Sequence, residues 1–406
     1  VIGATSVADH SAFTYENMVH VVPMFDHIDF QEEFVSLVKK LDIDFIVPAH
    51  DELVALLPAW QENGILPPGI QVVGSCAATS LLARSKRQTY EKLKEVILTP
   101  LIYDANLVTQ DDLPLFVKPD KGQGSRGAKK VMSLDDLAYI DEKYVLCELL
   151  VGQEYTIDCF TDKNGELRYV GPRERARVSN GISVSSRRVV GDEFIDFANL
   201  INKAISFRGM WFFQVKRNRN GQLTLLEIAP RVSGGMGFAR ARGVNLPALA
   251  IYDKMNLNVM IFENDVNIVR DCSILPSYEV SYDFQDIYVD LDDTLIFTDK
   301  TNSALIGLLY HWKNQDKRIH LITRHKAVFG IDPRETLLVH NIYLGLFDSI
   351  IDVAAGVAKS KYISKISAIF IDDSASERFD VHRNNNIPTY TCTQACEMFI
   401  RGKGNF

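Results

Sequence analysis

Phe116-Val-Lys-Pro-Asp-Lys-Gly-Gln-Gly-Ser-Arg-Gly-Ala128 reads as a strand that ends on Lys118 and runs into a turn with Gly122, Gly124 and Gly127 set around Ser125. Glycines there remove Cβ atoms, so backbone N–H groups can close on phosphate oxygens, and Lys118 adds a point charge. Taken alone, the stretch fits an ordinary hairpin equally well. It nevertheless fixes the character of its surroundings. Thr161-Asp-Lys-Asn-Gly165 and Asn218-Arg-Asn-Gly221 are further hairpin turns, so the middle of the chain is expected to be strand-rich and mixed α+β. Toward the N-terminus, apolar strands at 19–22, 45–48 and 72–74 alternate with a helix over 30–41, a βαβ pattern that implies a parallel sheet. A charged helix over about 81–96 follows. Toward the C-terminus the pattern resets after Ile274-Leu-Pro-Ser-Tyr278 to buried strands at 287–290, 319–323 and 368–372 separated by helices. The expected domains are therefore 1–80, 81–282 and 283–406.

A length of 406 residues suits two or three domains, each with its own core. Apolar residues at 47% and charged residues at 24% exclude disordered and fibrous classes. The net charge of −8 is spread along the chain, with 30 basic against 36 acidic residues up to Tyr282 and 14 against 16 beyond it. Neither part offers the basic surface that a polyanion needs, so no nucleic acid and no membrane is expected as a partner. Six cysteines without metal or disulfide spacing point to free thiols and a cytoplasmic location. No apolar run approaches the roughly 18–20 residues of a membrane span. The start, Val1-Ile-Gly-Ala, is neither Met nor a signal peptide, so an N-terminally incomplete first domain is expected.

Two further stretches join the glycine loop. Val145-Leu-Cys-Glu-Leu-Leu-Val-Gly-Gln-Glu-Tyr-Thr-Ile-Asp158 follows some twenty residues later, and Gln214 precedes Leu225-Leu-Glu-Ile-Ala-Pro-Arg231. The order of lysine loop, Glu-Leu-Leu-x-Gly-x-Glu and Gln…Glu-Ile-x-Pro-Arg resembles the ATP-grasp family, especially ligases similar to carbamoyl-phosphate synthase, over about residues 1–262. The resemblance implies a partial pre-ATP-grasp domain followed by an ATP-grasp domain that uses ATP and Mg²⁺. By it, Lys86 and Lys118 touch ATP phosphates, and the loop over 122–127, with Gly122, Gly124, Ser125 and Gly127, folds over them. Glu148 and the backbone of Leu150 face the adenine, and Glu154 meets the ribose hydroxyls. Gln214 and Glu227 hold Mg²⁺, and Arg231 neutralises the transferring phosphoryl. The family's Glu-x-Asn-Pro-Arg has Ala229 in place of Asn, which removes one expected metal ligand.

In Pro172-Arg-Glu-Arg-Ala-Arg177, arginines 173, 175 and 177 alternate and so share one strand face, with Arg187 and Arg188 near in sequence. Such a row suits a carboxylate or phosphate substrate, and equally a solvated charged face.

The strand Asp286-Ile-Tyr-Val-Asp-Leu-Asp-Asp-Thr-Leu295 ends in paired carboxylates, Ile319-His-Leu-Ile-Thr323 in a hydroxyl, and Ile369-Phe-Ile-Asp-Asp-Ser374 in two acids. Carboxyl ends of parallel strands are where open α/β sheets bind ligands, so these groups can converge. The set resembles the haloacid-dehalogenase (HAD) phosphatase superfamily over about 284–406, and implies a Rossmann-like domain. By this resemblance Asp290 attacks phosphorus, Asp292 protonates the leaving group, and Thr323 and Lys361 hold phosphoryl oxygens. Asp372, Asp290 and the carbonyl of Asp292 bind Mg²⁺, with Asp373 in support. Lys359 competes with Lys361 for the lysine role. The spacers leave no room for a cap domain. The histidines show no metal spacing, and Cys392 with Cys396 reads as a pair of idle thiols.

The expected protein is a bifunctional enzyme: an ATP-dependent carboxylate–amine ligase working through an acyl phosphate, fused to a Mg²⁺-dependent phosphatase. Its partners are a small carboxylate, an amine and a phosphorylated small molecule, and a homo-oligomer is compatible with the sequence. A small-molecule kinase, or a nucleotide sensor or scaffold with a degenerate ATP-grasp site, is the alternative.

Overall fold

Phe30, Phe34 and Val38 recur at helical spacing and bury one stripe of the helix Phe30–Lys40. The computed structural model describes residues 1–7, 19–122, 124, 126–138, 140–273, 281–364 and 366–400. Contacts divide the chain into two compact units, Val22–Ser273 and Val1–Val21 with Ile274–Phe406.

In the first unit the stripe of Phe30–Lys40 packs with Leu57 and Trp60 of the helix Asp51–Glu62. The short strands Phe45–Ile46 and Gln71–Val72 pair in parallel across the helix Asp51–Glu62, but Val19–Val21, expected in the same sheet, is not part of it. The first of them stops before Pro48, which has no N–H to give a ladder. The single helix expected over 81–96 is instead two helices, Ala77–Arg84 and Lys86–Leu93. Ser85 breaks them: its backbone is extended, its Oγ accepts from the Gln88 N–H at 3.2 Å and donates to the Asp120 carboxylate at 2.8 Å. A serine that caps the second helix competes with continuing the first, and helical periodicity carries no trace of that choice.

Strands Leu115–Pro119, Lys129–Val131 and Tyr144–Glu148 form a three-stranded antiparallel sheet with Leu115–Pro119 in the middle. A six-stranded antiparallel sheet follows, in the order Leu223–Ala229, Gly209–Arg217, Glu154–Thr161, Leu167–Ser179, Ile182–Arg188 and Val269–Asp271. Phe194, Phe197, Ala198 and Ile201 of the helix Asp192–Ala204 seal one face against Ile157, Trp211 and Phe213. The turns predicted at 161–165 and 218–221 form, with Gly165 and Gly221 at φ of +81° and +77°.

In the second unit Gly3–Thr5 pairs in parallel with Val19–Val21, a contact the sequence reading missed at its N-terminal strand. A five-stranded parallel sheet is ordered Ser349–Asp352, Arg318–Thr323, Asp286–Val289, Ala368–Ile371, Thr389–Tyr390. The three central strands are those predicted, because strands covered on both faces read as continuous apolar runs. The two edge strands are half-exposed and gave no such run. Between Leu295 and Thr323 the chain makes a small hairpin, Ile296–Phe297 with Lys300–Thr301, and the helix Ser303–Lys313.

Candidate active sites

The first unit contains a cleft of about 370 Å³ walled by Leu115–Pro119, the turn after it, and the six-stranded sheet. Lys86, Lys118, Gly122, Gly124, Glu148, Leu150, Glu154, Gln214 and Glu227 all line it. The Ser85 break matters here, since it starts a helix whose first residue is Lys86; the Lys86 N–H donates to Asp120 O at 3.2 Å and the Arg87 N–H to Asp120 Oδ1 at 2.8 Å. Burial lowers the pKa of Lys86 and of Lys118, with Glu227 pulling the other way in both.

Gln214 and Glu227 sit directly opposite each other on adjacent strands. One step along, the register slips so that Val215 faces Leu225, leaving Leu226 as an extra residue in a β-bulge. The carbonyl so released accepts from Tyr90 Oη at 2.5 Å and from Lys118 Nζ at 3.2 Å, and Lys118 also donates to Tyr90 Oη at 2.6 Å. The bulge thus holds the lysine beside the two metal-ligand candidates.

Other expected contacts are already engaged within the protein. Glu148 Oε1 accepts from the Leu101 N–H at 3.1 Å, and Glu154 lies 2.9 Å from Arg175 Nε. Gly127 does not line the cleft; its φ is +74° and a Cβ there would meet the Pro119 side chain at 3.2 Å, so its role is to fold the turn. Ser125 lies outside the described residues. Arg231 lines a smaller cavity of about 50 Å³ that shares Lys86, Gly122, Gly124 and Glu227 with the cleft. Its guanidinium grips Asp51 with two bonds, at 2.6 and 2.9 Å.

The arginine row is a set of ion pairs rather than a free fork. Arg173 meets Asp158 at 2.9 Å, Arg175 meets Glu154, and Arg177 meets Asp271 at 2.7 Å. Arg173 is fully enclosed, with Ser233 bridging it to Asp158. Arg188 pairs with Asp265 at 2.6 Å.

In the second unit, neighbouring strands bring Asp290 and Asp372 to the carboxyl end of the sheet, where Lys359 Nζ donates to Asp290 Oδ1 and to Asp372 Oδ2, both at 2.7 Å. Lys361, the lysine favoured from sequence, is exposed and does not join them. The two share a single 3₁₀ turn, Lys359–Tyr362, in which residues two apart face different ways. Asp290, Asp372 and Asp373 each offer a carboxylate oxygen, all within 4.8 Å of one another, a donor set that fits a hard divalent cation. Burial pushes the Asp290 and Asp372 carboxyls above their ordinary range, against the pull of Lys359. Thr323 is buried at the end of its strand, and its Oγ1 accepts from the His325 N–H at 3.0 Å. Asp292 Oδ1 meets His325 Nδ1 at 2.8 Å.

Sequence reasoning missed Tyr90, Asp51, Asp120 and His325. The partners of the first two lie 136 and 180 residues away, beyond the reach of any local pattern. His325 alone carried a signal, two positions past Thr323.

Residues 141–270 match a family model described as ATP-grasp in the biosynthetic pathway with Ter operon. Among solved structures the chain is similar to the biotin carboxylase domain of Hydrogenobacter thermophilus 2-oxoglutarate carboxylase, solved with MgADP, ADP and bicarbonate. That likeness has 15% identity and a TM-score of 0.55, and covers 66% of this chain and 67% of that one. It is similar also to Campylobacter jejuni biotin carboxylase, at 14% identity and a TM-score of 0.54, over 64% of this chain and 66% of that one. A third is N5-carboxyaminoimidazole ribonucleotide synthetase from Thermotoga maritima, at 18% identity and a TM-score of 0.51, over 70% and 75%. The chain thus spans about two thirds of the length of the two biotin carboxylases, and at these identities the likeness is one of fold. No curated protein matches the chain. No helix among the described residues is long and apolar enough to cross a membrane.

Proposed function

We propose that this chain, which carries an ATP-grasp domain over residues 141–270, is an ATP-dependent carboxylate–amine ligase joined to a HAD-type phosphatase. The domains on this reading are 1–80, 81–282 and 283–406. The observation that carries the first half is the cleft in which Lys86 and Lys118 face the Gln214–Glu227 pair, a layout suited to a nucleotide triphosphate. The similar H. thermophilus domain was solved with MgADP, which favours ATP and Mg²⁺ here. Gln214 and Glu227 would hold Mg²⁺, which supplies charge neutralisation at the phosphates. Lys86 and Lys118 stabilise charge on the γ-phosphoryl as an acid oxygen bonds to it and the bond to ADP breaks; the amine then attacks the acyl carbon and phosphate departs. Arg231, its guanidinium held by Asp51, would neutralise charge on the transferring phosphoryl.

The second half rests on Asp290 and Asp372 at the carboxyl ends of parallel strands, bridged by Lys359. Asp290 bonds to phosphorus as the ester oxygen leaves with a proton from Asp292, and water then cleaves the aspartyl phosphate. Mg²⁺ held by Asp290, Asp372 and Asp373 would mask the repulsion between carboxylates and phosphate. Its substrate, on this reading, is a phosphorylated substrate or product of the ligase.

The test is ADP release from Mg-ATP with panels of small acids and amines. Release that needs both an acid and an amine supports a ligase, and release with an acceptor alone supports a kinase. Binding without turnover supports a sensor, which Ala229 in place of a metal ligand would favour.

A further inference from the structure

We infer that His325 is a positioning residue for the proton-exchanging carboxylate of the second unit, an inference that rests on the phosphatase reading of that unit. Asp292 has a side chain 37% exposed, and an exposed carboxylate samples several rotamers unless something fixes it. His325 is buried, with its Nδ1 2.8 Å from Asp292 Oδ1 and its Nε2 2.7 Å from Thr336 Oγ1. One arrangement satisfies both contacts: the Thr336 hydroxyl donates to Nε2, and Nδ1–H donates to Oδ1, with or without a proton on Oδ2. Oδ1 is thereby occupied, and Oδ2 is left to carry the exchanged proton. Thr336 stands on the helix Pro333–Val339, so the ring is anchored from a separate element, and Phe329 packs against it with ring centroids 5.0 Å apart.

The same residue serves a second group. Its backbone N–H donates to Thr323 Oγ1 at 3.0 Å, so the Thr323 hydroxyl proton is free to point at a phosphoryl oxygen. One residue thus sets both the group that holds the phosphoryl and the group that protonates the departing oxygen. In the step concerned, the Asp290 oxygen bonds to phosphorus, the phosphorus–ester oxygen bond breaks, and the Asp292 Oδ2 proton passes to the departing oxygen. Asp292 then takes a proton from the water that opens the aspartyl phosphate, and both carboxylates return to their starting state.

A mispositioned acid harms substrates in proportion to how much they need it. An alkyl phosphate leaves as a strongly basic alkoxide and requires the proton, whereas p-nitrophenyl phosphate leaves as a stable phenolate. The experiment compares kcat/KM of the full chain and its His325→Ala, His325→Asn and Thr336→Val variants on glycerol phosphate and on p-nitrophenyl phosphate. General acid catalysis contributes about 10²–10⁴-fold, so His325→Ala should lose at least about tenfold more on the alkyl than on the aryl ester. His325→Asn, which can still donate to Asp292, should recover part of that difference, and Thr336→Val should show it in smaller measure while leaving the core ring in place. Equal losses on both esters, or no loss on either, would overturn the role of His325 while the phosphatase reading stands. Hydrolysis of neither ester by the parent chain, or hydrolysis that survives Asp290→Asn, would overturn the phosphatase reading and this inference with it.

Discussion

Lys359 donates to Asp290 Oδ1 and Asp372 Oδ2 at 2.7 Å each, so one ammonium ties the ends of two adjacent strands. Burial works against that ammonium, but the two carboxylates more than offset it and hold it charged. On the phosphatase reading, Lys359→Ala should therefore cut phosphate release by about 10²-fold or more, since it removes a preorganised charge from the proposed site. It should also lower the melting temperature of this unit, because a buried pair broken on one side leaves its partners uncompensated. Lys361→Ala should change neither. Equal effects of the two substitutions in a phosphate-release assay would refute the assignment.

Glu227 faces Gln214 across the sheet, and both line the cleft beside Lys86 and Lys118. Mg-ATP at millimolar levels should raise the melting temperature, as any ligand of the native state does. Glu227→Gln should leave the fold intact and abolish ADP formation. A melting temperature indifferent to Mg-ATP would remove the nucleotide assignment.

Ala229 is paired with Phe212 at the end of the strand Leu223–Ala229, two residues past Glu227. Ala229→Asn adds an oxygen near the candidate metal position and should lower the Mg²⁺ concentration needed for half-maximal turnover. A Mg²⁺ titration curve that stays put would mean another residue already supplies that ligand.

Tyr90 is fully buried, and its hydroxyl links Lys118 to the Leu226 carbonyl. Tyr90→Phe keeps the ring but removes two hydrogen bonds, leaving Lys118 and the Leu226 carbonyl only each other, at a cost of about 0.5–1.5 kcal/mol for each bond lost. Chemical denaturation should register that loss, together with weaker ATP binding. Unchanged stability and affinity would show that the bulge carbonyl alone suffices to hold Lys118.

Asp286 lies at the far ends of the strands from Asp290. Burial raises its pKa, but the bidentate Arg318 contact at 2.6 and 2.7 Å and the His320 contact at 3.0 Å prevail, and the pKa is lowered. A carboxyl depressed on folding contributes stability that is present above its unfolded pKa of about 3.9 and lost as pH falls through the lower folded value. Arg318 is largely exposed, so solvent screening keeps the contribution of the pair small. Asp286→Asn should lower the melting temperature at neutral pH, and the gap from the parent should narrow as pH falls below the unfolded carboxyl pKa of about 3.9. A gap that persists in acid would trace the effect to packing instead of charge.

The legible part of the candidate sites was the part written on single strands. Asp290, Thr323 and Asp372 close apolar runs, and Lys118 closes another, so sequence position already placed them at strand ends. Glu227 and Gln214 could be named as ligands, but their opposition depends on a register slip at Leu226 that no run of residues announces. Sequence left Lys361 and Lys359 in competition, and the turn Lys359–Tyr362 points Lys359 toward the carboxylates.

The sequence by itself determined the central parallel strands, the hairpin turns and the chemistry-bearing residue types, because burial periodicity and turn chemistry act within a few residues. Only the tertiary structure decided which lysine is buried, why Ser85 breaks a helix, which acid holds Arg231 and which ring fixes Asp292. Each of those depends on a partner from a distant segment: Asp120 for Ser85, Asp51 for Arg231, His325 with Thr336 for Asp292. A polar side chain in the interior must find a hydrogen-bond partner, and which one it finds is settled by packing, where residues far apart in the chain become neighbours.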